Sequence, residues 1–132
     1  MPGPFLNKVF LIGRLTRDPE LRYTTNGKAV ATFGFAVNRE YLSKGEKKED
    51  TCYLNLVVWG KQAEICAEYL KKGNLIFVEG SLHYRSWETE NNEKKSTIEV
   101  KVERFQFLEK PNIEIIDEKE ELENGEEEEE SL

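Results

Sequence analysis

One short stripe of helical period interrupts a chain that otherwise alternates like β-strand. In residues 60–72, Ala63, Cys66, Ala67 and Leu70 fall at i, i+3, i+4 and i+7, and Ile65 and Tyr69 widen the stripe. Gly73 follows where a helix C-terminus favours glycine. Before the stripe lie three strand-like segments. Residues 7–15 (NKVFLIGRL) are apolar with few charges and read as a buried strand. Residues 28–38 follow the punctuation of Asp18-Pro19 and Asn26-Gly27, and place Ala29, Ala31, Phe33, Phe35 and Val37 on one face. Residues 51–59 (TCYLNLVVW) are the third. Two more segments, 74–87 and 96–108, come after the helix.

Several details refine this order. Gly34 and Gly80 inside strands predict a bend or a close backbone approach. In the last strand Ile98, Val100 and Val102 alternate, but Phe105 and Phe107 switch parity, which predicts a bulge near Arg104. Residues 39–50 are polar and charged around Gly45 and read as a long exposed hairpin arm rather than a tight turn. Residues 88–95 form a second polar hairpin tip. Three strands, one helix and two strands, with mid-strand glycines and long hairpins, describe an all-β five-stranded OB barrel with one helix between strands 3 and 4. Another small antiparallel barrel with a capping helix is the competing architecture.

Charge divides the chain into two unlike segments. Residues 1–110 hold 18 Lys+Arg against 15 Asp+Glu, whereas residues 111–132 hold 1 Lys against 11 Asp+Glu. The net −7 of the whole therefore describes neither part. The expected organisation is a basic OB domain over 1–110 and an acidic C-terminal tail over 111–132 with too little apolar sequence to bury a core. No stretch approaches the ~20 apolar residues of a membrane span. Met1-Pro2-Gly3-Pro4 leads into strand-like sequence with no secretory pattern, so the expected location is cytoplasmic. Cys52 and Cys66, 14 apart without neighbouring histidines, read as two buried thiols of a reducing compartment. With His83 as the only histidine, neither a metal nor any other cofactor is implied. The chain has no Gly-rich phosphate loop, no Gly-x-Ser-x-Gly turn and no triad, so no enzyme is expected.

The aromatic residues carry the functional signal. Tyr41 lies in the first arm, Tyr53 and Trp59 share a face of the third strand, and Trp87 sits at the base of the second hairpin among Arg85, Ser86, Glu88 and Thr89. Cations are interleaved with them: Lys8, Arg14, Arg39, Lys47, Lys48, Lys61, Lys72, Arg85, Lys94 and Lys95. Flat rings spaced among positive charges suit a single nucleic-acid strand, whose bases stack at ~1–3 kcal/mol each while its phosphates follow the cations. Alternation by itself leaves Tyr53 and Trp59 equally suited to packing a barrel. Trp87 has a poor setting for burial. His83 fits either a polar strand face or a phosphate or base contact. A protein-interaction module and an RNA-binding OB domain are the rival readings.

Asn7-Lys8-Val9 with Gly13, Asp18-Pro19-Glu20 with Arg22-Tyr23, Gly27, Ala36, Gly60-Lys61 with Ala63-Glu64, Tyr69-Leu70 with Lys72-Gly73, and Val78-Glu79-Gly80 occur in order with regular spacing. Across residues 6–108 the chain thereby resembles the bacterial single-stranded DNA-binding proteins. That resemblance implies an OB-fold homotetramer that wraps single-stranded DNA without sequence preference. It also implies roles in replication, recombination and repair, with partner proteins recruited through the acidic tip. The family's stacking rings fall on Tyr41, Tyr53, Trp59 and Trp87, and its basic contacts on Lys8, Lys61, Lys72 and Arg85; Arg14 is a further candidate. Asn55 and His83 stand where relatives have arginine. The tail departs from the family pattern: the long Gly/Gln/Pro-rich linker is nearly absent, and Glu130-Ser131-Leu132 replaces an Asp-Pro-Phe tip.

Overall fold

A computed structural model describes residues 3–109. The acidic segment 111–132 lies outside the described residues. Seven elements follow one another: β1 (Val9–Leu15), β2 (Glu20–Tyr23), β3 (Ala29–Ser43), β4 (Glu46–Trp59), α1 (Lys61–Tyr69), β5 (Leu75–Glu88) and β6 (Lys94–Phe107). Strand β1 pairs with β5 on one side and with β3 on the other, through Arg14↔Ala36 and Leu15↔Phe35. β3 pairs with β4, β4 runs parallel to β6 from Leu56↔Val100 to Val58↔Val102, and β6 returns to β5. Five strands thus close a ring, and β2 adds to the edge of β3. Closed in this order, with α1 between the third and fourth barrel strands, the fold is an OB barrel.

The predicted inward face of β3 is the core. Ala29, Ala31, Phe33 and Phe35 are buried with Leu56 and Val58 of β4, Ile76 and Val78 of β5, and Val100 and Val102 of β6. Ala63 and Cys66 of α1, with Leu70 just past its end, join this cluster, so the helical stripe packs against the barrel as its spacing requires. Two glycines permit the close approaches that closure needs. A Cβ on Gly13 would run into the carbonyl oxygen of Ala36, and one on Gly80 into that of Lys101. The parity switch in β6 is a bulge: Glu79 faces Arg104 and Gly80 faces Val102, leaving Glu103 as the extra residue.

Several sequence expectations change. β1 is apolar but not buried throughout, because Phe10 and Ile12 lie exposed on its outer face. β2 was not foreseen, because Glu20-Leu21-Arg22-Tyr23 is too short and too charged to show alternation, and only Leu21 is half-buried. The first arm is the expected hairpin, but its tip is a tight turn. β3 and β4 stay in one continuous register out to Ser43↔Glu46, joined by the tight turn Lys44-Gly45 with φ of 55° and 80°. The helix ends at Tyr69, not Lys72, because the chain leaves it to bind the β1–β2 connection. The Lys72 N–H donates to Asp18 and the Gly73 N–H to the Leu15 carbonyl. Gly73, at φ 94°, serves the turn that follows rather than the helix end.

Cysteine placement is another. Cys66 is buried, but Cys52 of β4, opposite Val37 at the base of the first arm, is exposed. Burial pushes the Cys66 thiol up to about 12. At pH 8 a thiol-specific reagent should therefore modify one cysteine rapidly, with the second reacting only on unfolding. Two rapid equivalents would contradict the packing of α1. No helix among the described residues is long and apolar enough to cross a membrane.

Candidate nucleic-acid interface

With Leu56 and Val58 committed to the core, alternation turns Tyr53, Asn55, Val57 and Trp59 of β4 to the outer surface. Pairing extends this face in both directions. Val30, Thr32 and Gly34 of β3 lie opposite Trp59, Val57 and Asn55, and Arg22 of β2 lies opposite Val30. On the other side Lys101 of β6 lies opposite Val57, and Glu99 opposite His83 of β5. The result is an open depression of about 390 Å³ whose lining includes Arg17, Arg22, Trp59, Arg85 and Glu99. A smaller recess of about 180 Å³ between Trp59, His83, Arg85 and Lys101 opens beside it. A third, of about 200 Å³, lies between Arg17, Tyr53 and Asn55.

The rings on this surface are open to solvent. Tyr53 is 74% exposed, Trp59 37% and Trp87 40%. Each tryptophan has a cation over its face: the Lys28 amine 5.4 Å from the Trp59 centroid, and the Arg85 guanidinium 4.5 Å from the Trp87 centroid. Alternation along β5 keeps His83, Arg85 and Trp87 on one side of the second hairpin, continuous with the Trp59 recess. Glu99 is the one buried charged residue among those described, 7% exposed on the floor of the groove. Its Oε1 accepts from Arg85 Nε at 3.3 Å and lies 3.9 Å from His83 Nδ1. A carboxylate there restrains Arg85 and offsets part of the local positive charge.

Not every residue singled out by sequence joins this groove. The β3–β4 register puts Tyr41 on the opposite face of the ribbon from Tyr53, with Arg39 stacked on it at 4.5 Å and bonded to Asp50. Lys8 donates to Glu103 at 2.7 Å and to Glu79 at 3.3 Å; both carboxylates hold its amine above the usual 10.5, Glu103 foremost. Arg14 makes two bonds to the Glu109 carboxylate and one to the Gly73 carbonyl, keeping Glu109 below its usual 4.5. Lys61 and Lys72 are exposed and free of ion pairs among the described residues. Lys47 and Lys48 pair with Glu40 and Glu46 on the first arm. Sequence reasoning passed over Arg17, Arg22, Glu99 and Lys101. Strand pairing, and for Arg17 the β1–β2 connection, brings them to the groove, and nothing in their local pattern separates them from other surface charges.

Residues 6–108 match the single-strand binding protein family. The chain is 50% identical over 108 residues to single-stranded DNA-binding protein A of Bacillus subtilis, covering 81% of this chain and 62% of that protein. To a single-stranded DNA-binding protein of Halalkalibacterium halodurans it is 52% identical over 105 residues, 79% of this chain and 61% of that one. The match thus spans less than two thirds of the length of these curated relatives. Among solved structures, a Plasmodium falciparum SSB in complex with ssDNA superposes with a TM-score of 0.76 at 33% identity, over 83% of this chain and all of that one. A deletion mutant of the single-stranded DNA binding protein from Thermus aquaticus gives 0.70 at 41% identity, over 79% of this chain and 51% of that one. Fold and sequence agree that this chain belongs to the single-strand binding protein family.

Proposed function

We propose that the protein binds single-stranded DNA without sequence preference, with Tyr53, Trp59 and Trp87 stacking bases and the groove cations taking the phosphates. The observation that carries this reading is the pair of rings on the outer face of β4, flanked by arginines from β5 and from the β1–β2 side. Duplex DNA hides its base faces, so the same groove discriminates by stacking rather than by reading edges. Tyr41 on the first arm, with Lys61 and Lys72 near α1, extends the path of the strand beyond the groove. Lys8 and Arg14 contribute only if DNA displaces their carboxylate partners.

The protein serves replication, recombination and repair in the cytoplasm, without catalysis, and assembles as a homotetramer. Exposed Phe10 and Ile12 on the outer face of β1, with Phe10 stacked on Phe77 at 6.4 Å, support that assembly. The acidic tail competes for the basic groove and recruits partner proteins.

Titration with oligo(dT) and with duplex of equal length tests the reading. Single strands should bind far more tightly. If each subunit makes about four phosphate contacts, log K should fall with log salt at a slope near −3, from the ~0.7 per contact expected for single strands. Removing residues 111–132 should tighten binding at low salt and matter less at high salt, where screening is strong. A flat salt response, or equal affinity for duplex, would refute the groove as a single-strand site. Tighter binding of rU than dT oligomers would move the assignment to RNA.

A further inference from the structure

Of the six arginines in the chain, five are paired with a carboxylate: Arg14 with Glu109, Arg22 with Glu20, Arg39 with Asp50, Arg85 with Glu99 and Arg104 with Glu79. Arg17 alone has no hydrogen-bond or ion-pair partner among the described residues. It is also the arginine that lines both the Tyr53 recess and the Trp59 groove.

Its position is built rather than incidental. The Thr16 N–H donates to the Gly34 carbonyl at 3.0 Å, clamping the start of the β1–β2 connection across the outer face of β3. Gly34 has no side chain, so the connection lies directly on the sheet. A Cβ there would collide with Thr16 Oγ1 and stand 2.8 Å from Arg17 Nη1. The guanidinium is thus seated against the backbone of β3, beside the β4 segment between the two rings. That segment supplies only Asn55 and Val57 and has no cation of its own.

We propose that Arg17 is a DNA-binding residue that grips the phosphodiester between the bases stacked on Tyr53 and Trp59, using the guanidinium fork that no carboxylate among the described residues occupies. The proposal rests on the single-strand reading above. A free, seated guanidinium presents paired N–H donors that fit two phosphate oxygens, and an ammonium on a flexible stem does not reproduce that fit. Arg85, across the groove, is already bonded to Glu99 and serves the Trp87 side.

Arg17→Gln and Arg17→Lys, with Trp59→Ala as comparator, separate the possibilities. Each is titrated with oligo(dT) at several salt concentrations in the full-length protein, with circular dichroism to check folding. Arg17→Gln should weaken binding about tenfold at low salt, the worth of one charge-assisted contact. It should also shrink the salt slope by about 0.7, one phosphate fewer. Arg17→Lys should keep the slope but recover only part of the affinity. Arg17→Gln with unchanged affinity and slope, while Trp59→Ala still weakens binding, overturns the role of Arg17 and leaves the groove assignment standing. Full recovery by Arg17→Lys overturns the fork. If neither Trp59→Ala nor Arg17→Gln alters binding, the groove assignment itself falls.

Discussion

Replacing Trp59 and Trp87 together by alanine is expected to lower affinity for oligo(dT) by roughly a hundredfold or more, from ~1–3 kcal/mol of stacking lost at each ring. The two sites lie on different strands, and their losses should add to a first approximation. Each ring is more than a third exposed on the outer surface, so removing it opens no cavity in the core, and the thermal midpoint should change little. Because the double variant has no tryptophan, binding should be followed by anisotropy of a labelled oligomer. Affinity within twofold of the unchanged protein, with the fold intact, would return the chain to the class of protein-interaction modules. The single variants add detail. Loss of Trp59 should also release Lys28, which now lies over that ring, and loss of Trp87 should release Arg85 from its stack.

Phe35→Ala is the core substitution with the largest expected effect on stability. Phe35 is fully buried and stands where the barrel closes, pairing with Leu15 of β1 and Leu54 of β4. The same ring would crowd a side chain at Gly13, so strand and phenylalanine meet with no spare volume. Truncating a buried phenylalanine costs about 3–5 kcal/mol, a large share of the 5–15 kcal/mol that stabilises an ordinary domain. The midpoint of thermal unfolding should drop by more than about 10 °C for a domain of this size. Runs at one fixed protein concentration keep any assembly equilibrium constant. A drop of only a degree or two would mean that closure between β1 and β3 contributes little. Oligo(dT) affinity measured well below the new midpoint should be nearly unchanged, because Phe35 does not point to the groove surface.

These two expectations draw on different layers of information. Phe35 belongs to the inner face of β3 by period alone, and the sequence placed it there beside Ala31 and Phe33. Trp59 did not have that property. Its spacing from Tyr53 put both on one face of β4, yet either face was open to being the core. The choice followed once Leu56 and Val58 met Val100 and Val102 across the parallel β4–β6 pair, which turned the odd-numbered positions outward.

The chain by itself determined the order of its five barrel strands and helix, the apolar stripe of α1, the bulge announced by Phe105 and Phe107, and the charge contrast between residues 1–110 and 111–132. Each of these is written in a local period or a local composition, which a few neighbouring residues suffice to express. Tertiary structure alone decided that β2 joins β3, that the first arm turns tightly at Lys44-Gly45, that Cys52 is exposed, and that Lys8 and Arg14 are already matched by carboxylates. It also decided that Arg17 reaches the groove with no partner among the described residues. Those outcomes depend on which residues distant in the chain become neighbours when the barrel closes, and a surface charge carries no mark of its future partner until then.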